Sequence, residues 1–455
     1  MNILIIGGGE LGIMIAGHLI NENHSVTLLE KSEELASKLA EQLDGLILPG
    51  SGVDVNVLLK ANVEKTDLFI ALTNDDNVNI LSCCMVKRLS HYRAQTIAKT
   101  ENFFRYFSNP LIHHADFGID NIIAPKQLSI SKLSRLIAEP DTVENINFHD
   151  NDIKIVGIDI RENSSISGKS IKEIAFSDKT WSKIRLIAIT ENGSIIIPKG
   201  DCVIKKGSRV FLAGNSETLK DITDRYFTSG IKIKNIIIIG GSKVGRELAK
   251  VQAKAGNKVI IIEENEKLCK NISDEFDNIL VVHGTGTNRS VLSEIDMKNS
   301  YVICVTDKDE QNIISAVMAK KNGAFKAVAN IRNIAITPII SGISDIDYVF
   351  STESLALAEI LNYCRKGDIL SVYPIPELKA QTMKIKITGE IDIIDTPLKN
   401  IKFPEGMMIG AIIRGEKVII PHGNDDVRFN DLVILFLLPS CVEKAKKMFS
   451  QSKSK

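Results

Sequence analysis

Apolar positions along this chain fall into short runs separated by stretches with helical spacing. Ile3–Ile6 is an apolar run of strand length, and Glu10–Ile20 then sets Leu11, Ile15, Ala16 and Leu19 on one side of a helix. Val26–Leu29, Leu46–Leu48, Leu68–Leu72 and Thr96–Ala98 read as further strands, with helical Val78–Leu89 between the last two. Apolar strands separated by helices predict a parallel sheet covered on both faces. The same alternation returns at Ile236–Ile239, Val259–Ile262, Ile279–Val282 and Val302–Val305.

Two other stretches have a different texture. Ile153–Ala213 and Met383–Leu438 hold short alternating β runs broken by Gly and Pro turns, and each follows a helical stretch, Leu128–Ala138 or Leu355–Cys364. The texture is duplicated along with the residues. Gly7 recurs as Gly240, Gly12 as Gly245, Glu30 as Glu263, Thr73 as Thr306 and Asn79 as Asn312, all at one constant offset. IIIPKGD (Ile195–Asp201) returns as VIIPHGN (Val418–Asn424), at a slightly shorter one. The expected fold class is α/β: two tandem Rossmann-like parallel-sheet domains, each followed by a small α+β module. The expected boundaries are 1–123, 141–226, 233–351 and 370–453.

Gly7, Gly9 and Gly12 spell G-x-G-x-x-G between the first strand and the first helix, over Gly7, Gly8, Gly9, Glu10, Leu11 and Gly12. The first glycine permits a tight turn, the second lets backbone approach a pyrophosphate, and the third lets helix pack on strand. Helix N–H groups then favour an anion. Glu30 ends the second strand, one helix beyond Gly12. A carboxylate there accepts ribose hydroxyls and repels a 2′-phosphate, so NAD is expected over NADP. The second copy reads Gly240, Gly241, Ser242, Lys243, Val244 and Gly245, then Glu263. Ser242 replaces the middle glycine, so either its Cβ crowds a pyrophosphate or its hydroxyl donates to one. Thr73 and Asn74 after the fourth strand, Thr306 and Asp307 in the second copy, and Lys99 after the strand TIA stand where ligands of open α/β sheets bind. Asn330 takes the place of Lys99 in the second copy, with Arg332 two positions on.

Composition narrows the partners. The chain has 455 residues, 44% hydrophobic and 25% charged, with 56 basic and 56 acidic side chains, so no basic excess points to nucleic acid. Seven scattered cysteines without a C-x-x-C pair argue against a disulfide framework or zinc site and fit a reducing cytosol. No run approaches the ~20 apolar residues of a membrane span, and a soluble chain is expected. Ile153–Ala213 has no histidine, and Met383–Leu438 has only His422. His113-His114 has no counterpart in the second copy. No H-E-x-x-H, G-x-S-x-G or Walker A lysine motif occurs. Two nucleotide turns without catalytic apparatus suggest a sensor and not an enzyme. The competing readings are a tandem NAD-dependent oxidoreductase and a stand-alone nucleotide-binding scaffold.

IIGGGELG with Glu30, TNDDNVN, IIAPKQL (Ile122–Leu128) and GAIIRGEKVIIPHGN (Gly410–Asn424), together with the duplication, resemble the TrkA family of Trk potassium-uptake regulators across the whole chain. That family carries two tandem RCK (regulator of K⁺ conductance) units. The resemblance implies a peripheral protein on the cytoplasmic face of a Trk-type channel or transporter, assembled as a tetramer into a gating ring. It implies NAD(H), and also ATP or ADP, in the Rossmann-like parts. Residue by residue it places a first site at Gly7–Leu11, Glu30, Thr73, Asn74 and Lys99, and a second at Gly240–Val244, Glu263, Thr306 and Asp307. Family members often have arginine where Lys99 stands, and Ser242 departs from the glycine pattern.

Overall fold

The computed structural model describes every residue except 103–105, 108, 110, 149–152, 162–163, 192–193, 199, 333–339, 341–344, 365–368, 376–379, 390 and 450–455. Lys199 of the repeated IIIPKGD segment therefore lies outside the described residues. The chain divides into two compact units. One holds Met1–Ile130 with Ser351–Cys364, and the other holds Ser131–Phe350 with Arg365–Lys455.

In the first unit β1 (Asn2–Ile6), α1 (Glu10–Asn21), β2 (Ser25–Glu30), α2 (Glu33–Gln42), β3 (Leu46–Pro49), α3 (Val55–Lys60), β4 (Leu68–Ala71), α4 (Asp76–Leu89), β5 (Gln95–Lys99) and β6 (Asn121–Ile123) alternate as expected. The strands form a parallel sheet in the order β3-β2-β1-β4-β5-β6, which places the strand-order reversal between β1 and β4. The apolar runs are buried on both faces: Ile3 and Ile5 join one core cluster, Leu4 and Ile6 the other. Polar caps stop the helices from fraying: Ser32 Oγ accepts the Leu35 N–H at 3.3 Å, and Asp75 accepts the Asn77 N–H at 2.8 Å.

α5 (Pro125–Ala138) opens on a proline, whose missing N–H costs nothing at a helix start. Beyond it, β7 (Thr142–Phe148), β8 (Ile153–Asp159), α6 (Ile171–Ser177), β9 (Ile184–Glu191), β10 (Ser194–Ile196), β11 (Arg209–Asn215) and α7 (Ser216–Tyr226) make the first small module. Its sheet runs β10-β9-β11-β8-β7 with antiparallel pairs, and a bulge in β9 lies opposite Phe211/Leu212.

The second Rossmann-like sheet repeats the first. β12 (Ile236–Ile239), α8 (Lys243–Lys254), β13 (Val259–Glu263), α9 (Glu266–Glu275), β14 (Ile279–His283), α10 (Arg289–Ser293), β15 (Tyr301–Cys304), α11 (Asp309–Lys321), β16 (Lys326–Asn330) and β17 (Tyr348–Phe350) give the order β14-β13-β12-β15-β16-β17. α12 (Thr352–Cys364) follows. β18 (Ile369–Ile375), β19 (Ala380–Lys386), β20 (Met407–Arg414), β21 (Lys417–Ile419), β22 (Leu432–Leu437) and α13 (Val442–Phe449) form the second small module, with sheet order β18-β19-β22-β20-β21. Ile187, Ala188, Phe211 and Ala213 of the first small module share one apolar cluster with Ala411, Ile413, Ile434 and Phe436 of the second.

Packing departs from chain order at α12. Its buried residues, Ala356, Ile360, Leu361 and Cys364, join the core of the first Rossmann-like domain beside Ile15, Ala16 and Leu19 of α1. The helix that follows the second sheet thus covers the first. In the other unit, Ser134 of α5 accepts a hydrogen bond from Gln252 Nε2 of α8 at 3.2 Å. This bond ties the end of the helix after the first sheet to the first helix of the second domain. The linear order of four modules does not predict this exchange.

Candidate functional site

The site in the first copy grows from the turn between β1 and α1. Gly7 has φ of 99°, a conformation that L side chains avoid, and a Cβ there would stand 3.0 Å from the Thr73 backbone. A Cβ at Gly12 would lie 2.0 Å from the Gly7 carbonyl oxygen, so the third glycine is demanded by the turn itself. Gly9 differs from both. It is the N-cap of α1, its backbone is extended, no side chain caps the helix, and a Cβ there would meet nothing within 4 Å. Open space at an uncapped helix start, with Glu10 and Leu11 in the first turn, is a cradle that fits a phosphate group.

Glu30 ends β2 beside this turn. Its Oε2 accepts the Gly8 N–H at 2.7 Å and its Oε1 accepts the Ser32 N–H at 2.9 Å. The acid therefore braces the glycine turn. Each carboxylate oxygen keeps a second lone pair for a ribose hydroxyl. Thr73 leaves β4 with its N–H and Oγ1 both donating to Asn79 Oδ1, at 2.9 and 2.8 Å. Asn79 Nδ2 donates to the carbonyls of Thr73 and Lys99, at 3.0 and 2.9 Å, which ties the ends of β4 and β5 together. Fully buried Asn79 is thus a site-building residue. Its sequence signals are the repeat as Asn312 and its place at the end of TNDDNVN. Lys99, the last residue of β5 and not a residue after it, directs Nζ to Asn74 Oδ1 at 3.1 Å and to Glu101 at 3.6 Å. Its charge is already part-neutralised within the protein.

The second copy keeps the frame and changes the cradle. Gly240 has φ of 113°, and a Cβ at Gly245 would fall 2.0 Å from the Gly240 oxygen. Glu263 accepts the Gly241 and Asn265 N–H groups at 2.6 and 2.8 Å. Thr306 and Asn312 repeat the Thr73–Asn79 pairing, at 2.8 and 2.7 Å. Ser242, however, caps α8: its Oγ accepts the Gly245 N–H at 3.5 Å and donates to the Val305 oxygen at 3.1 Å. The hydroxyl serves the protein's own turn. Lys243 and Val244 follow in the first turn of α8. A cleft of about 280 Å³ opens here, lined by Ser242, Glu263, Glu264, Thr285, Thr306 and Asp307 among others. Its rim is acidic, and Lys308 is held by Glu264 at 3.5 Å. The Asp307 carbonyl accepts from Arg332, and the buried Asn330 Oδ1 has no hydrogen-bond partner among the described residues.

Among the described residues no cluster of His, Cys, Asp and Glu has metal-binding geometry, and no helix is long and apolar enough to cross a membrane. Cys83 is buried and Cys84 half-buried on α4.

Two Rossmann-like sheets with glycine turns and terminal acids, each followed by a small α+β module, define a tandem RCK protein. The same architecture occurs in the crystal structure of the GsuK RCK domain, at TM-score 0.62 and 18% identity over 98% of this chain and 94% of that one. The GsuK channel bound to NAD gives TM-score 0.61 at 19% identity, over 98% and 78%. Residues 3–125 and 236–352 match the TrkA-N domain, and residues 155–226 and 385–450 match the TrkA-C domain. The chain belongs to the TrkA family. The Trk system potassium uptake protein TrkA homolog 1 of Methanosarcina mazei is 29% identical over 456 residues, covering 99% of this chain and 100% of that protein. The Trk system potassium uptake protein TrkA of Halomonas elongata is 28% identical over 445 residues, 96% of each.

Proposed function

We propose that this chain is the nucleotide-binding regulatory subunit of a Trk-type potassium uptake system, and that it gates K⁺ flux by binding NAD(H) at the first site. The observation that carries the reading is the uncapped start of α1, open at Gly9 and flanked by the braced Glu30. Pyrophosphate lies on the α1 amides, Glu30 takes the adenosine ribose, and Thr73, Asn74 and Lys99 face the remainder. ATP or ADP would use the same amides. A ligand shifts such an assembly only by its differential affinity for two arrangements, typically ~1–3 kcal/mol. The membrane partner is a Trk-type channel or transporter subunit, on whose cytoplasmic face a homotetramer forms the gating ring.

The test is potassium uptake in cells lacking their own regulator, complemented with wild type or with Gly9→Val plus Glu30→Ala. The double variant is expected to assemble but to lose nucleotide-dependent uptake. Regulated uptake equal to wild type would refute nucleotide sensing at this site. Turnover of NADH with a hydroxy- or keto-acid would make the protein an oxidoreductase instead.

A further inference from the structure

A cavity of about 530 Å³ opens beside β9 in the first small module, far along the chain from either glycine turn. Ile174, Trp181, Ile184, Pro198 and Ile204 make an apolar wall, and His422 of the second small module also lines the cavity. Arg185 also lines it.

The position of Arg185 is unusual. It pairs across the sheet with Ala213, so both leave the sheet on the same face, and Ala213 belongs to the apolar cluster shared by the two small modules. Its Nε is fully buried with no hydrogen-bond partner, and its side chain has no ion pair among the described residues. Burial alone pushes the guanidinium below its ordinary value, with no carboxylate opposing it. A guanidinium stays charged and carries five donors in a fixed fork. Arg185 is half-buried, and leaving its Nε N–H without a partner carries a desolvation cost.

The fold does not need this charge. In the second small module the equivalent residue is Met408. It pairs with Phe436 as Arg185 pairs with Ala213, and the bulge that follows recurs between Ile409 and Ala411. Met408 packs on the same shared cluster. The duplicated module thus satisfies this position with an uncharged side chain. Among the described residues, the other fully charged basic side chain lining the cavity, Lys172, is paired with Asp201 at 2.7 Å and is largely exposed.

We propose that this cavity is a ligand site separate from the glycine turns, for a small organic anion with a flat apolar body. Its phosphate or carboxylate takes the Arg185 fork, and its ring lies against the wall of Ile174, Trp181 and Pro198. The volume falls in the range of ordinary small-molecule pockets.

Trp181 is the single tryptophan of the chain, so its emission reports on this cavity. The full-length protein is titrated with adenosine 5′-monophosphate, adenosine and inorganic phosphate. AMP is expected to change Trp181 emission saturably, about tenfold tighter than adenosine or phosphate, because a charge-assisted fork and ring burial act together. Arg185→Met is expected to weaken AMP by about tenfold or more without lowering Tm, since Met serves the duplicated position. Gly9→Val is expected to leave the signal unchanged, so failure here is separable from failure of the first nucleotide site. The proposal is overturned by no saturable AMP response, by equal responses to adenosine or phosphate alone, or by unchanged binding in Arg185→Met. It is equally overturned if Arg185→Met lowers Tm by more than about 5 °C, which would make the guanidinium a fold element.

Discussion

Gly8 donates its backbone N–H to Glu30 Oε2 at 2.7 Å, and in the second copy Gly241 donates to Glu263 Oε2 at 2.6 Å. The strand-terminal acid therefore belongs to the turn before it belongs to any ligand. Glu30→Ala is expected to cost about 1–3 kcal/mol of stability, because it orphans the Gly8 and Ser32 N–H groups. Glu263→Ala is expected to cost about as much while leaving NAD(H) affinity at the first site intact. Urea denaturation with calorimetric titration of both variants checks this. Unchanged stability in both would show the brace to be dispensable.

The three glycines of the first turn are expected to fail in different ways. Gly9→Val places its side chain in open space, so the fold should hold while NAD(H) affinity falls at least about 100-fold, the loss of a phosphate contact at close backbone approach. Gly12→Ala puts a methyl 2.0 Å from the Gly7 oxygen and should destabilise the domain before any binding defect is measurable. Thermal melts beside titrations decide. A stable, binding-competent Gly12→Ala protein would contradict the geometry.

Ser242→Gly is expected to tighten phosphate-bearing ligands at the second site, because it removes the hydroxyl that occupies the Gly245 N–H and the Val305 oxygen. Replacing a serine cap by glycine costs only a few tenths of a kcal/mol. Titration in a Gly9→Val background isolates the second site. Weaker binding in the serine-free protein would mean that the hydroxyl contacts ligand after all.

Lys326 is buried and donates Nζ to the Thr142 carbonyl at 2.6 Å, with Asp159, Asp347, Arg161 and Arg209 around it. Burial pushes its ammonium down to about 8. Below that pH both folded and unfolded chains hold the proton, and the folded chain bears the full cost of the buried charge. As pH rises from about 8 towards the unfolded value of about 10.4, the folded state releases its proton first. This group's contribution to stability then rises by roughly 3 kcal/mol. Lys326→Met should flatten that rise, so the variant's advantage is largest at neutral pH and shrinks as the lysine titrates. A stability difference independent of pH over that range would rule out a lowered lysine.

Much of this architecture is legible in the chain because it rests on short-range rules. Ile3–Ile6 and Ile236–Ile239 are too apolar for anything but strands buried on both faces. Gly7 and Gly240 adopt the positive φ that their strand-to-helix turns require. Constant offsets between paired residues such as Glu30 and Glu263 reveal the duplication without any coordinates. Even Asn79 left a trace in its repeat, although only the distances to Thr73 and Lys99 gave it a role.

Elements, turns and terminal acids are thus written in the residues themselves, whereas what each of them touches was settled by packing. The apolar stripe of α12 at Ala356, Ile360 and Leu361 fits any apolar surface, and the folded chain sets it against α1 of the first domain. Ser242 could have faced a ligand, yet the nearest unsatisfied groups were its own helix amide and the Val305 carbonyl. Arg185 reads as an ordinary strand residue until the fold sets it at the lining of an apolar cavity, with no acid among the described residues to pair it. The reason is one of range. Periodicity, caps and φ preferences act over a few residues and are written locally, whereas partner choice depends on surfaces that meet only when distant segments fold together.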